Sequence, residues 1–170
     1  NKNLNIIDIR GNVNTRIRKM KEGYCDALIM AAAGLQRLEL SDYITEIINP
    51  EIIVPAVSQG IIAIESRIDD YETEQYLKEI NDIDTWIAGE AERSFLRVIE
   101  GGCQVPVGCF SKTIGDHIFL TGFVASIDGT TYLLETENGT ISEPQQVGIK
   151  LAHKLLERGG AQVMEEIRNL

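Results

Sequence analysis

The sequence predicts an α/β unit followed by an α+β unit, and three observations predict it. Through about residue 60, short apolar segments alternate with short helical ones. From Gln104 onward, three strand-like segments are separated by Gly115-Asp116 and Asp128-Gly129, dipeptides that favour tight turns. The remainder returns to a helical period through Val147, Leu151 and Leu155.

Residues 4–9 (Leu-Asn-Ile-Ile-Asp-Ile) read as a short strand and Arg10-Gly11 as a tight turn. Asn12 is suited to cap a helix running to about Lys21, with Gly23 ending it. Residues 24–30 read as a buried strand, and residues 31–38 as a small-residue turn and a short helix. Residues 51–57 are an apolar run interrupted by Pro55, and residues 61–65 one more short strand. Strand, helix, strand, helix, strand is the rhythm of a parallel sheet with crossovers. Acids dominate from Asp69 to Glu92, which predicts a solvated helix and linker. A second unit is expected from near Gly89. Its first helix, Glu90 to Ile99, carries Phe95, Leu96 and Ile99, and Gly101-Gly102 stops it. Strands are expected over 104–111, 117–127 and 130–137, forming an antiparallel meander. Ser142 and Gln145 have the spacing of a capping box, and Pro144 suits a first helical turn. That helix is expected to stop at Gly159-Gly160, with a last one over 161–169.

The chain has 170 residues, 44% apolar and 25% charged, which excludes a disordered segment and allows a core without metal or disulfide staples. Its 26 acids against 16 bases give a net charge of −10, unsuited to general nucleic-acid binding or to anionic membranes. No apolar run reaches the ~20 residues of a spanning helix. The first residues show neither the apolar segment of a signal peptide nor a starting Met, so the chain reads as processed or partial. Three cysteines, Cys25, Cys103 and Cys109, do not suggest a disulfide framework and fit a reducing cytoplasm.

Against this acidic background, residues 10–21 hold five bases (Arg10, Arg16, Arg18, Lys19, Lys21) and no acid. A glycine turn leading into a helix start offers free amides and a positive dipole end, and flanking arginines make it a site for carboxylate or phosphate. Arg18, Lys19 and Lys21 read as solvation of an exposed helix face, which leaves Arg10 and Arg16 as the site candidates. Arg37 follows the small residues 31–34 at the carboxyl end of an expected strand, where open α/β sheets bind ligands. A surface arginine on a short helix fits that spacing equally. Gly101-Gly102 places Cys103 on an open turn, an accessible position for a thiol, whereas Cys25 and Cys109 lie in apolar or strand segments and read as buried and inert. His117 and His153 fall in a strand and a helix and read as structural. No Cys-x-x-Cys or His-x-x-His spacing suggests a metal.

Five segments, Arg10-Gly-Asn-Val-Asn-Thr-Arg16, Asp26-Ala-Leu-Ile-Met-Ala-Ala-Ala-Gly-Leu-Gln-Arg37-Leu, Pro55-Ala-Val-Ser-Gln59-Gly60, Glu92-Arg93 and Glu100-Gly-Gly-Cys103-Gln-Val-Pro106, resemble in order the porphobilinogen deaminase (hydroxymethylbilane synthase) family. The resemblance covers essentially the whole chain and corresponds to the carboxyl-terminal half of the family's usual length. It implies a transferase of porphyrin and heme biosynthesis. Four porphobilinogen molecules are condensed head to tail, with loss of ammonia, on a covalent dipyrromethane cofactor. By motif match, Cys103 would carry that cofactor through a thioether. Arg10, Arg16 and Arg37 would bind its carboxylates, and Gln59 would lie in a hinge near the cleft. The implied fold is a partial periplasmic-binding-protein-like lobe with a mainly parallel sheet, then a three-stranded antiparallel sheet covered by helices. Residues 1–60 would be most of domain two, 61–78 a segment crossing back to domain one, and 79–170 domain three. The implied partners are porphobilinogen and the growing pyrrole chain, without nucleic acid or membrane, in a monomeric cytoplasmic parent. The family's catalytic aspartate lies in domain one, so no catalytic residue is assigned; Asp26 and Asp84 are not substitutes. The isolated chain is therefore expected to be inactive. Read without the resemblance, the residues also fit a non-enzymatic module binding a small organic anion, or a thiol enzyme using Cys103.

Overall fold

The computed structural model describes residues 4–99 and 105–169. The expectations for Cys103 and for the Gly101-Gly102 stop fall outside the described residues. The chain divides into two units, Asn1–Ile48 and Asn49–Leu170.

In the first unit, helix α1 spans Val13–Lys21 and is capped as expected: the Asn12 side chain accepts the Thr15 amide at 2.9 Å. Gly23, with φ of 85°, turns the chain just past the helix end. Helix α2 spans Ala32–Arg37, and a 3-10 turn follows at Ser41–Tyr43. Ile17 and Leu35 are the unit's buried side chains among the described residues.

The strands expected at 4–9, 24–30, 51–57 and 61–65 do not form; these segments run as extended chain and turns, and no parallel sheet exists among the described residues. The reason is pairing. A strand persists only where a neighbour takes its backbone N–H and C=O groups, and these four segments find no ladder partner. Many of their apolar side chains stay in water accordingly, with Ile6 93%, Ile29 76% and Ile62 88% exposed, whereas Val57 packs partly buried against the core.

The second unit contains the sheet. Helix α3, Tyr71–Ile80, is capped by Asp70 and buries none of its residues, the solvated helix that its charge predicts. Helix α4 spans Ile83–Ile99, starting well before the expected Glu90, because Asp82 accepts the Thr85 amide at 2.7 Å and caps an earlier first turn. The solvated run therefore ends sooner than its composition suggests. α4 buries Ile87, Ala91, Phe95 and Ile99, spaced four apart along one stripe.

Strands β1 (Val107–Ile114), β2 (His117–Ala125) and β3 (Tyr132–Thr140) form the expected antiparallel meander in the order β1-β2-β3. Val107 faces Val124, and Leu133 faces the same Val124 from the other side. Ile118, Leu120 and Val124 of β2 are buried with Phe95 of α4 and with Leu151 and Leu155 of helix α5, Pro144–Leu155. α4 and α5 approach closely at Gly148, where a Cβ would run into the Ala91 carbonyl oxygen. α5 begins with Pro144 at its first position, which makes Glu143 the cap residue and puts the Ser142–Gln145 pair one position out of register for a capping box. Ser142 instead shares a hydrogen bond with Thr140 Oγ1 at 2.8 Å, and Gln145 donates to Glu90 at 2.5 Å. A π-turn at Leu156–Gly160, with Gly159 at φ 112°, breaks the chain before helix α6, Ala161–Arg168. Glu135 of β3 holds this region to the sheet, pairing with Lys154 at 2.9 Å and with Arg158.

Candidate functional site

Arg10 and Arg16 flank one turn, Arg10 immediately before Gly11 and Arg16 in the first turns of α1. Gly11 takes φ of 127°, a conformation glycine adopts without strain, and a Cβ there would strike the Thr15 side chain. The Arg16 side chain folds back over this turn, its Nε donating to the Gly11 carbonyl at 2.7 Å. The remaining cations of α1 have local tasks. Arg18 pairs with Glu22 at 3.5 Å. Lys19 donates to the Arg10 carbonyl at 3.1 Å and lies over the Tyr24 ring. Lys21 donates to the Tyr43 hydroxyl at 2.7 Å and lies over that ring. None of the ion pairs among the described residues involves Arg10, Arg16 or Arg37. A guanidinium without an acid, held at a glycine turn before a helix N-terminus, is suited to an anionic ligand. Arg37 lies exposed at the end of α2 in the same unit, five residues beyond its first residue and away in sequence from the Gly11 turn.

In the second unit, Gln59 is exposed on a turn in which its amide donates to the Ala56 carbonyl at 3.0 Å. The same turn holds Ser58 in the left-handed region, with φ of 58°. Its amide is held by a residue that composition conceals: Glu92 of α4, counted by sequence among solvated acids, is 6% exposed. Glu92 Oε2 accepts the Ser58 amide at 2.8 Å, and Oε1 accepts both the amide and the hydroxyl of Ser111, each at 3.1 Å. Burial raises the Glu92 pKa above the ordinary glutamate range, against the three hydrogen bonds that lower it. A signal for its burial exists: Glu92 is seven residues before Ile99 and so shares its helix face.

The chain compares closely with known proteins over this whole span. Residues 1–75 match the family model described as porphobilinogen deaminase, dipyromethane cofactor binding domain, and residues 86–157 match porphobilinogen deaminase, C-terminal domain. Porphobilinogen deaminase of Chlorobaculum tepidum is 44% identical over 168 residues, which are 97% of this chain and 54% of the relative. This chain belongs to the porphobilinogen deaminase family. The protein of that name from Oceanobacillus iheyensis is 47% identical over 161 residues, 94% of this chain and 52% of the relative. The one from Geobacter sulfurreducens is 43% identical over 164 residues, 96% of this chain and 52% of the relative. The chain thus spans about half the length of the curated relatives it matches.

Arg10, Arg16, Arg37 and Gln59 all fall within the region matched to the deaminase cofactor-binding domain, and Cys103 and Glu92 within the region matched to its C-terminal domain. Cys103 lies outside the described residues. Of the other thiols, Cys109 is fully buried in β1, and burial, helped by Glu92, pushes its thiol well up and away from the thiolate. Cys25 is half-buried, more accessible than its apolar flanks suggest, because the strand expected there has no sheet to cover it. His117 and His153 are exposed. The described residues hold no cluster of three or more potential metal ligands and no helix long and apolar enough to cross a membrane.

Proposed function

We propose that the whole protein is a hydroxymethylbilane synthase, condensing four porphobilinogen molecules stepwise with release of ammonia in tetrapyrrole biosynthesis. Family membership across both matched regions carries this reading. Cys103 holds a dipyrromethane group by a thioether, and Arg10, Arg16 and Arg37 bind the carboxylates of that group and of the growing chain. The donor set suits the group: guanidiniums free of acidic partners among the described residues, in a chain of net charge −10, complement a ligand rich in carboxylates. When bound, the dipyrromethane supplies the primer on which the tetrapyrrole is built. Arg16, already steadied by Gly11, orients one side arm with little conformational freedom left to lose. Gln59 acts at the hinge beside the cleft.

The apolar side chains left in water along residues 4–9, 24–30 and 61–65 support a further part of the reading. In the whole protein, residues 1–60 make up most of domain two, part of a periplasmic-binding-like lobe with a mainly parallel sheet, 61–78 cross to domain one, and 79–170 form domain three. The protein is monomeric and cytoplasmic, with porphobilinogen and the pyrrole chain as its partners. Cys103→Ala in the whole protein tests the assignment: loss of cofactor attachment and of turnover is expected. Normal turnover in that variant overturns it and leaves the anion-binding module as the reading.

A further inference from the structure

Glu92 touches three parts of the chain at once. It sits on α4, the element that precedes the Cys103 segment in sequence. Through Ser111 it grips β1, the element that follows that segment. Through the Ser58 amide it grips the turn that carries Gln59. β1 is an edge strand of the sheet, so the Ser111 amide faces away from β2 and Glu92 satisfies it. The same stretch of chain also lies directly against β1 at Gly108, where any Cβ would run into the Pro55 carbonyl oxygen. Residues 55–58 are therefore tied to β1 at two points, by close packing at Gly108 and through Glu92 at Ser111.

The chemistry of this joint selects a carboxylate. Its partners are two backbone amides and one hydroxyl, all donating. A carboxylate only accepts, with about four lone-pair sites, and meets all three; a glutamine would set two N–H donors against donors. All three donors and Glu92 itself belong to the second unit.

We infer that Glu92 is a positioning residue, fastening the Gln59 turn to the two elements that flank the Cys103 segment and so fixing the frame in which that cysteine works. This rests on the proposed function for its catalytic consequence, while the fastening itself does not.

The test is Glu92→Gln in the whole protein, read in two ways. Hydrogen exchange of the Ser58 and Ser111 amides should accelerate by roughly tenfold or more, as expected when a charge-assisted bond in a part-buried site is lost, while core amides such as Leu120 and Leu151 stay protected. Turnover of porphobilinogen per cofactor-loaded molecule, with loading counted from the mass on Cys103, should fall by about tenfold or more, the factor one such bond is worth. A role confined to stability would lower the yield of folded protein and leave turnover per loaded molecule unchanged, and turnover within about twofold of wild type overturns the inference. Exchange of Ser58 and Ser111 at the wild-type rate overturns it as well. Ser111→Ala, which removes one donor and keeps the fold, should give a smaller drop of roughly two- to fivefold per loaded molecule, and no drop counts against the inference. A wild-type protein with no cofactor on Cys103 would sink the proposed function instead, and the exchange experiment would still decide the fastening.

Discussion

Arg16→Leu separates ligand binding from folding, and its size follows from the structure. Leucine keeps the helix propensity of arginine, so α1 is not weakened along its length. The variant loses the 2.7 Å bond from Nε to the Gly11 carbonyl. That bond is on the exposed side of a turn, so about 0.5–1.5 kcal/mol of stability is at stake. A carboxylate held by the same guanidinium is worth more: about 1.5–3 kcal/mol for a charge-assisted pair, or roughly 10- to 150-fold in affinity. Arg16→Lys should recover part of this, keeping the charge and losing the two-pronged geometry. Arg18→Leu is the internal control. Arg18 is already paired with Glu22 on the helix surface, so its loss should leave binding untouched. The assay is cofactor assembly and porphobilinogen turnover in the whole protein, set beside a thermal melt of each variant. Wild-type assembly and turnover in Arg16→Leu, or an equal defect in Arg18→Leu, would refute the assignment of this turn to carboxylate binding.

Three further outcomes are expected. Ser58→Gly should stabilise the protein by about 1 kcal/mol, since glycine relieves the left-handed backbone and removes a buried hydroxyl with no partner among the described residues; a lower melting temperature would contradict this. Gly148→Ala should destabilise by about 1–3 kcal/mol or more, because its Cβ would meet the Ala91 carbonyl and force α4 from α5; denaturant titration at unchanged stability would be the contrary result. Glu92 should impose a pH dependence. Its folded pKa is raised, so the native state keeps its proton to higher pH than the unfolded chain, and this contribution to stability is present below the unfolded value of 4.5 and is lost as pH rises through the folded one. Cys109, its buried neighbour, stays neutral over this range. Relative to Glu92→Gln, the wild type should therefore gain stability as pH falls from about 8 to about 5, and the opposite slope would contradict the burial.

The parts of this fold that were legible in the sequence are those whose partners are near in sequence. β1, β2 and β3 are joined by tight turns, so period and turn chemistry suffice to place them. Asn12 and Pro144 act within one helical turn and were equally readable. The segments at 4–9 and 24–30 show the limit of such reading: their patterns are those of strands, but a pattern cannot supply the neighbour that a ladder needs. The capping box failed for a local reason, since Pro144 took the first helical position and shifted the cap to Glu143. In the site, the Gly11 turn and its arginines were visible as a reversal of charge. Glu92 was hidden by the acids before it, although its seven-residue spacing from Ile99 marked it as facing inward.

The mass of the Cys103-containing peptide from the purified whole protein is the most direct measurement available. An increment of two pyrrole units on that sulfur is the expected result. An unmodified Cys103 in a protein that still turns over porphobilinogen would contradict the account at its centre.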